Sequence, residues 1–181
     1  MNDNALVALF AGMLETALAA ENAASVNVIQ AAQPTQQSRE ESGEGVYFQT
    51  LFTKRYGSPS VVRTYNSTTG VFDVTESQQV IATIQISVFY PVDVNDTSRL
   101  SANDLAEQLA MRLQSQTNIA AFHAAGVGIM RITDVRNPTF DNEQDQQEFV
   151  PNFDMQLSYI RTITSTVQRV VELTGEVHKV N

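Results

Sequence analysis

The chain has 181 residues, 43% of them hydrophobic, which is enough to build a real core and is not a disordered composition. Its formal net charge of −9 and pI near 4.6 exclude the basic footprint of a general nucleic-acid binder, although an acidic wall suits a passage that must not grip DNA. Without cysteine there are no disulfides and no thiol or cysteine-metal chemistry.

Leu6, Leu9, Phe10, Met13, Leu14, Ala17 and Leu18 recur at three- and four-residue spacing, which predicts an amphipathic helix capped by Asn2, Asp3 or Asn4. No Lys or Arg precedes Arg39, so the basic region of a signal peptide is missing. No apolar run is expected to reach the ~18 residues of a membrane span, and a soluble protein is expected. Val26 to Ala31 is a short β-branched run and a first strand. The polar stretch Gln33 to Gly45 is a loop. Val46 to Arg55 is an aromatic-rich strand, Tyr56-Gly57-Ser58-Pro59 a turn signal, Val61 to Tyr65 a short strand, and Asn66 to Gly70 another turn.

Val80 to Tyr90 alternates. Val80, Ala82, Ile84, Ile86, Val88 and Tyr90 share one face, against a half-polar face opposite. Ser101 and Asp104 form a capping-box-like start to a helix carrying Leu105, Leu109 and Leu113. Ile119 to Ala125 adds a helical turn stopped by Gly126, and Val127 to Val135 is a strand. Asn137 to Asn152 is a long acidic loop, a kind that is usually functional or disordered. Phe153 to Leu173 then alternates over a length that would reach roughly 70 Å if straight. A ~100-residue domain has a radius of gyration near 13 Å. The expectation is therefore a strand to about Thr164, followed by a second segment or an arm over 165–181 that lies on a neighbour.

The order helix, strands, helix, strands gives an α+β fold: a mostly antiparallel β-sheet flanked by two main helices, in a single domain over 1–181, with long loops and an extended C-terminal strand.

No local pattern carries chemistry. An EF-hand-type loop from Asp141 needs Gly at its sixth position and Glu at its twelfth, where Gln146 and Asn152 stand. No local nucleophile–base signature surrounds His123 or His178. Gly126-Val127-Gly128 precedes a strand, the wrong context for a phosphate loop. Neither catalytic residues, nor a metal, nor a cofactor is expected. The residues singled out are candidate contacts between copies: the basic-aromatic tip Lys54, Arg55 and Tyr56, Arg136 at a strand end, and the acidic Asp141, Glu143, Asp145 and Glu148.

A set of short motifs occurs in order: Gln33-Pro34-Thr35-Gln36-Gln37, Val46-Tyr47-Phe48, Arg55-Tyr56-Gly57, Asp134-Val135-Arg136-Asn137-Pro138, Phe140, Asp145-Gln146 and Phe153-Asp154-Met155. Their order and spacing, from about Leu6 to Glu172, resemble the neck or tail-terminator proteins of tailed bacteriophages. The chain departs from that pattern after Arg39, where Glu40-Glu41-Ser42-Gly43-Glu44 replaces a Gly- and Pro-rich stretch. The resemblance implies a tail-terminator-like α+β fold and a non-enzymatic virion protein forming a homo-oligomeric ring, commonly a hexamer. Such a ring caps the tail tube protein, faces a head-side connector or stopper protein, and passes DNA through its lumen. It is assembled in the host cytoplasm. The competing readings are a stopper or tail completion protein at another ring level, or, in a different class, a small host- or carbohydrate-binding module. The last calls for clustered exposed aromatics, and the chain has no Trp.

Overall fold

The apolar stripe near the N-terminus forms α1 (Asp3–Ala20) in the computed structural model, which describes residues 1–31, 45–90, 100–141 and 147–168, without the side chains of 139–141 and 147–149. Asn2 caps it, accepting a hydrogen bond from the Ala5 amide at 2.8 Å. Leu6, Phe10, Met13, Leu14, Ala17 and Leu18 are buried along one face. The helix ends where Asn22 takes a left-handed φ of 59° and the Ala23 amide returns to the Leu18 carbonyl at 3.0 Å. By length and composition α1 could cross a membrane, contrary to the expectation that no run is long enough. Here its apolar face is a core face instead. Phe10 meets Phe48 edge-on at 5.4 Å and Phe122 at 6.4 Å.

The main sheet has the order β1-β2-β3-β7-β4. β1 (Asn27–Gln30) runs parallel to the start of β2 (Gly45–Asn66), and all other pairings are antiparallel. β3 (Val71–Phe89) is the central strand, flanked by β2 and by β7 (Asn152–Gln168). β4 (Val127–Ile132) closes the far edge over Val127 to Ile132 only. A capping box joins Ser101 and Asp104 at the start of α2 (Ala102–Leu113). Ser115 caps α3 (Gln116–Ala124), and Gly126, at φ +76°, turns the chain into β4. A third helix thus joins the two main helices expected.

All three helices contribute to one core with one face of the sheet. Val80, Ala82, Ile84, Ile86 and Val88 of β3, and Phe153, Met155, Leu157 and Tyr159 of β7, point into it. Each of the Val, Ile, Leu, Met and Phe side chains among them contributes about 1.5–3 kcal/mol by leaving water.

Three sequence expectations change. Tyr56 to Pro59 is no turn between strands: β2 continues through it with a register shift between Tyr56 and Ser60. Gly57 supplies φ +65°, and Gln78 Nε2 donates to its carbonyl at 2.5 Å. Pro59 is tolerated because β1 covers only Gly45 to Phe48, so β2 is an edge beyond that point among the described residues. The acidic loop contains a hairpin of β5 (Thr139–Asp141) and β6 (Gln147–Phe149). β7 runs unbroken past Thr164 to Gln168, paired with β3 throughout; residues 169–181 of the expected arm lie outside the described residues.

Replacing the fully buried Phe10 with Ala is predicted to lower unfolding stability by about 3–5 kcal/mol, read from a urea midpoint shift, since it removes two ring contacts and leaves a cavity.

Candidate assembly interface

The sheet outgrows its helices. β2 past Thr50, residues 71–79 of β3 and β7 past Tyr159 form a three-stranded arm in which most positions are exposed. At ~3.3 Å per residue the arm reaches roughly 30 Å from the body. Its tip is the turn at 67–70, where Asn66 Oδ1 accepts from the Thr68 and Thr69 amides and Gly70 takes φ +72°.

Register assigns two unlike faces to the arm. The face continuous with the core carries Val61, Tyr65, Phe72, Val74, Ile163 and Val167, interspersed with Arg63, Glu76, Gln78, Arg161 and Ser165. Tyr65 and Phe72 stack at 5.2 Å, yet Val61, Tyr65, Ile163 and Val167 are 47–63% exposed. The opposite face is rich in hydroxyls, with Thr64, Thr75, Thr162, Thr164 and Thr166 beside Asp73, and also carries the exposed Val62 and Ile160. Exposed apolar residues grouped this way mark a contact surface.

The N-terminus braces the arm's root. The Met1 ammonium donates to the Ile160 carbonyl at 3.0 Å, and Asp3 accepts from Tyr159 Oη at 3.3 Å and from Arg161. Burial, and then the Asp3 carboxylate, push the Tyr159 hydroxyl above its ordinary pKa. The hydrogen bond to Asp3, with the charges of Asp3 and Tyr159, raises that of Arg161.

The structure does not bring the candidate contact residues together. Lys54, Arg55 and Tyr56 lie mid-strand at the arm's root and are not a tip. Lys54 and Tyr56 share the hydroxyl-side face, with Nζ 5.6 Å from the ring centre, whereas Arg55 faces the other way beside Val80. Arg136 is bonded within its own chain, Nη2 to Asp154 Oδ2 at 2.7 Å. Asp141 and Glu148 sit on the β5–β6 hairpin, next to the Arg136–Asn152 bridge at the opposite end of β7 from the arm. At ~3.3 Å per residue that end is roughly 20–25 Å from the level of Arg55. Glu143 and Asp145 lie outside the described residues.

Sequence reasoning missed Ile163, Val167, Val61 and Tyr65 as a group. The signal was present in the apolar parity of the last strand, but the partner segment, residues 71–79, is too polar to announce itself.

A cleft of about 760 Å³ opens where β4 ends and the arm begins, with His123, Ser158 and Ser77 on its wall. The Ser158 hydroxyl is directed at the Gly128 carbonyl, Ser77 pairs with Thr162, and among the described residues no carboxylate lines the cleft. Among the described residues no cluster could hold a metal.

With this geometry in view, comparison with known proteins decides the family. A family model described as E217 gateway protein gp29 matches residues 5–169. The chain belongs to that family, so the resemblance to phage neck and terminator proteins holds. This gateway-family chain is thus a structural phage protein. No curated protein matches its sequence. Among solved structures, the sheath/tube terminator of an extracellular contractile injection system (PVC, extended state) is similar over 97% of this chain and 64% of the other. The identity is 9% and the TM-score 0.45, a likeness that carries no argument on assembly. The chain therefore spans under two thirds of that terminator's length.

The Tyr159 hydroxyl has a pH signature. Its folded pKa is raised, so its contribution is complete below the ordinary tyrosine value near 10 and is lost as pH climbs through the folded value. Alkaline denaturation above about pH 10 is predicted to be steeper in the native chain than in Tyr159→Phe, followed by far-UV circular dichroism.

Proposed function

We propose that this gateway-family chain is a ring-forming terminator subunit at the neck of a tailed phage, closing the tail tube and joining it to the head-side connector. The observation that carries the reading is the arm: a three-stranded sheet extension with two different faces and two open edges of complementary register, at one end of a body whose other end bears the acidic hairpin. A closed ring is built from heterologous contacts and needs two different surfaces on each copy. With the ring axis along the strands, one ring face would present the arms and the other the hairpins with Asp141 and Glu148; Glu143 and Asp145, outside the described residues, stay proposed contacts with a neighbour. One face then serves the tube protein and the other the connector.

Charge supports the polarity. The arm holds Lys54, Arg55, Arg63 and Arg161 against Asp73 and Glu76, a net of +2, which leaves −11 for the rest of the chain. Lys54, Arg55 and Tyr56 at the arm's root, and Arg136 beside the hairpin, are proposed to meet neighbouring copies or the adjoining ring. A hydroxyl-rich face is suited to line a lumen through which DNA passes without being held. Sixfold symmetry, residence in the virion after assembly in the host cytoplasm, and the absence of enzymatic activity belong to the same proposal.

A stopper or tail completion protein at another ring level is the second reading. It shares the arm and differs in which rings the subunit touches.

Mass photometry and negative-stain electron microscopy test this. Rings are expected at assembly concentrations, alone or on tube ends. Lys54→Glu with Arg55→Glu is expected to weaken association at least tenfold while leaving the fold intact, and added salt to weaken the native ring. A strictly monomeric particle that also ignores tube ends contradicts the proposal.

A further inference from the structure

The two outer edges of the arm match each other. Past Tyr159, β7 has no strand beyond it among the described residues, and β2 has none past Phe48. Asn152 and Asp154 direct their main-chain carbonyls away from β3, toward the Arg136 and Thr133 amides, and the Ile160 carbonyl accepts from Met1. The β3–β7 register has no shift, so the period of two continues. Thr162, Thr164, Thr166 and Gln168 therefore present their amides and carbonyls on the open edge. Natural edges are guarded by Lys, Pro, bulges or shortness. The stretch Thr162 to Gln168 has none of these devices and no charged side chain. On β2, the irregularity at Tyr56 to Ser60 and Pro59 leave Ser60 to Asn66 as the clean edge.

Three features point to a second copy as the occupant. First, β2 and β7 are both antiparallel to β3, so both run outward from the body, and rotation about an axis along the arm preserves that direction. Second, the two edges stand at one height: Ser77 of β3 is level with Ser60 and Thr162, Thr75 with Val62 and Thr164, Asp73 with Thr64 and Thr166. Third, pairing at equal height sets Ile163 beside Val61 and Val167 beside Tyr65, covering four apolar side chains that are 47–63% exposed. The other face then pairs Thr162 with Ser60, Thr164 with Val62 and Thr166 with Thr64, while Ser165 falls beside Arg63 on the first face. Apolar pairs and hydroxyl pairs of this kind stabilise neighbouring strands.

We propose that the β7 edge Thr162–Gln168 of one copy adds in parallel to the β2 edge Ser60–Asn66 of the next, joining the arms into a continuous sheet around the ring axis. This rests on the ring reading above and names its joint. A twofold dimer would instead pair like edges, antiparallel.

The chain's lack of cysteine makes the test clean. Val62→Cys with Thr164→Cys, Thr64→Cys with Thr166→Cys, and the offset pair Val62→Cys with Thr166→Cys are oxidised after assembly. Within one arm these positions are two strands apart, ~10 Å, too far for a disulfide. A ladder of covalent oligomers up to ring size is expected from at least one pair, and none from its single-cysteine parents. Thr164→Pro removes an outward donor without touching the β3 ladder. It is expected to leave circular dichroism unchanged and to weaken association at least tenfold. Rings that form without any ladder, or that Thr164→Pro leaves intact, overturn the pairing alone. A chain that stays monomeric overturns the ring reading and the pairing together.

Discussion

The pairing of β3 on both sides along its whole length is the interaction on which the rest of the structure depends. Residues 80–88 of that strand anchor the core, with alternate side chains under the helices. Residues 71–79 have no helical cover, yet keep β2 and β7 as neighbours up to the turn. A two-stranded hairpin of this length would be marginal in water, and the third strand makes it an element. The arm is therefore a continuation of the body's sheet, and it inherits the body's register.

That continuity explains what was legible in the sequence. The helices announced themselves by period and caps: the α1 stripe, the Ser101/Asp104 box and the Gly126 stop all lie where elementary chemistry puts them. The buried half of β3 was legible because one of its faces is uniformly apolar. The outer half, Val71 to Gln79, opens with the strand formers Val71, Phe72, Val74 and Thr75 but continues with Glu, Ser and two Gln, so it shows no sustained apolar alternation of its own. Partners on both sides override propensity there. Gly57 and Pro59 look like punctuation of a turn but serve as a bulge on an open edge, a distinction that only the neighbouring strand can make. The 137–152 segment hid a hairpin because its strands are three residues each, too short to show a period.

The candidate contacts were legible as residues but not as an arrangement. Lys54, Arg55 and Tyr56 were singled out together, yet a strand sends Arg55 to one face and its neighbours to the other. Arg136 was singled out for a partner copy, and it already holds the half-buried Asp154 of its own chain. The most exposed apolar group lies on residues that looked like ordinary alternation. The proposed assembly by way of sheet edges rests on the arm's two open edges, and the proposed direction of the subunit rests on the hairpin at the far end.

Hydrogen exchange along the arm, compared between isolated protomer and assembled ring, tests the central claim most directly. In the protomer the 71–79 amides should be protected on both sides of β3, while Thr162, Thr164 and Thr166 exchange freely. In the ring those three amides should become protected as well. Free exchange across residues 71–79 in both states, or no change at Thr162, Thr164 and Thr166 on assembly, would contradict an arm that joins copies through its edges.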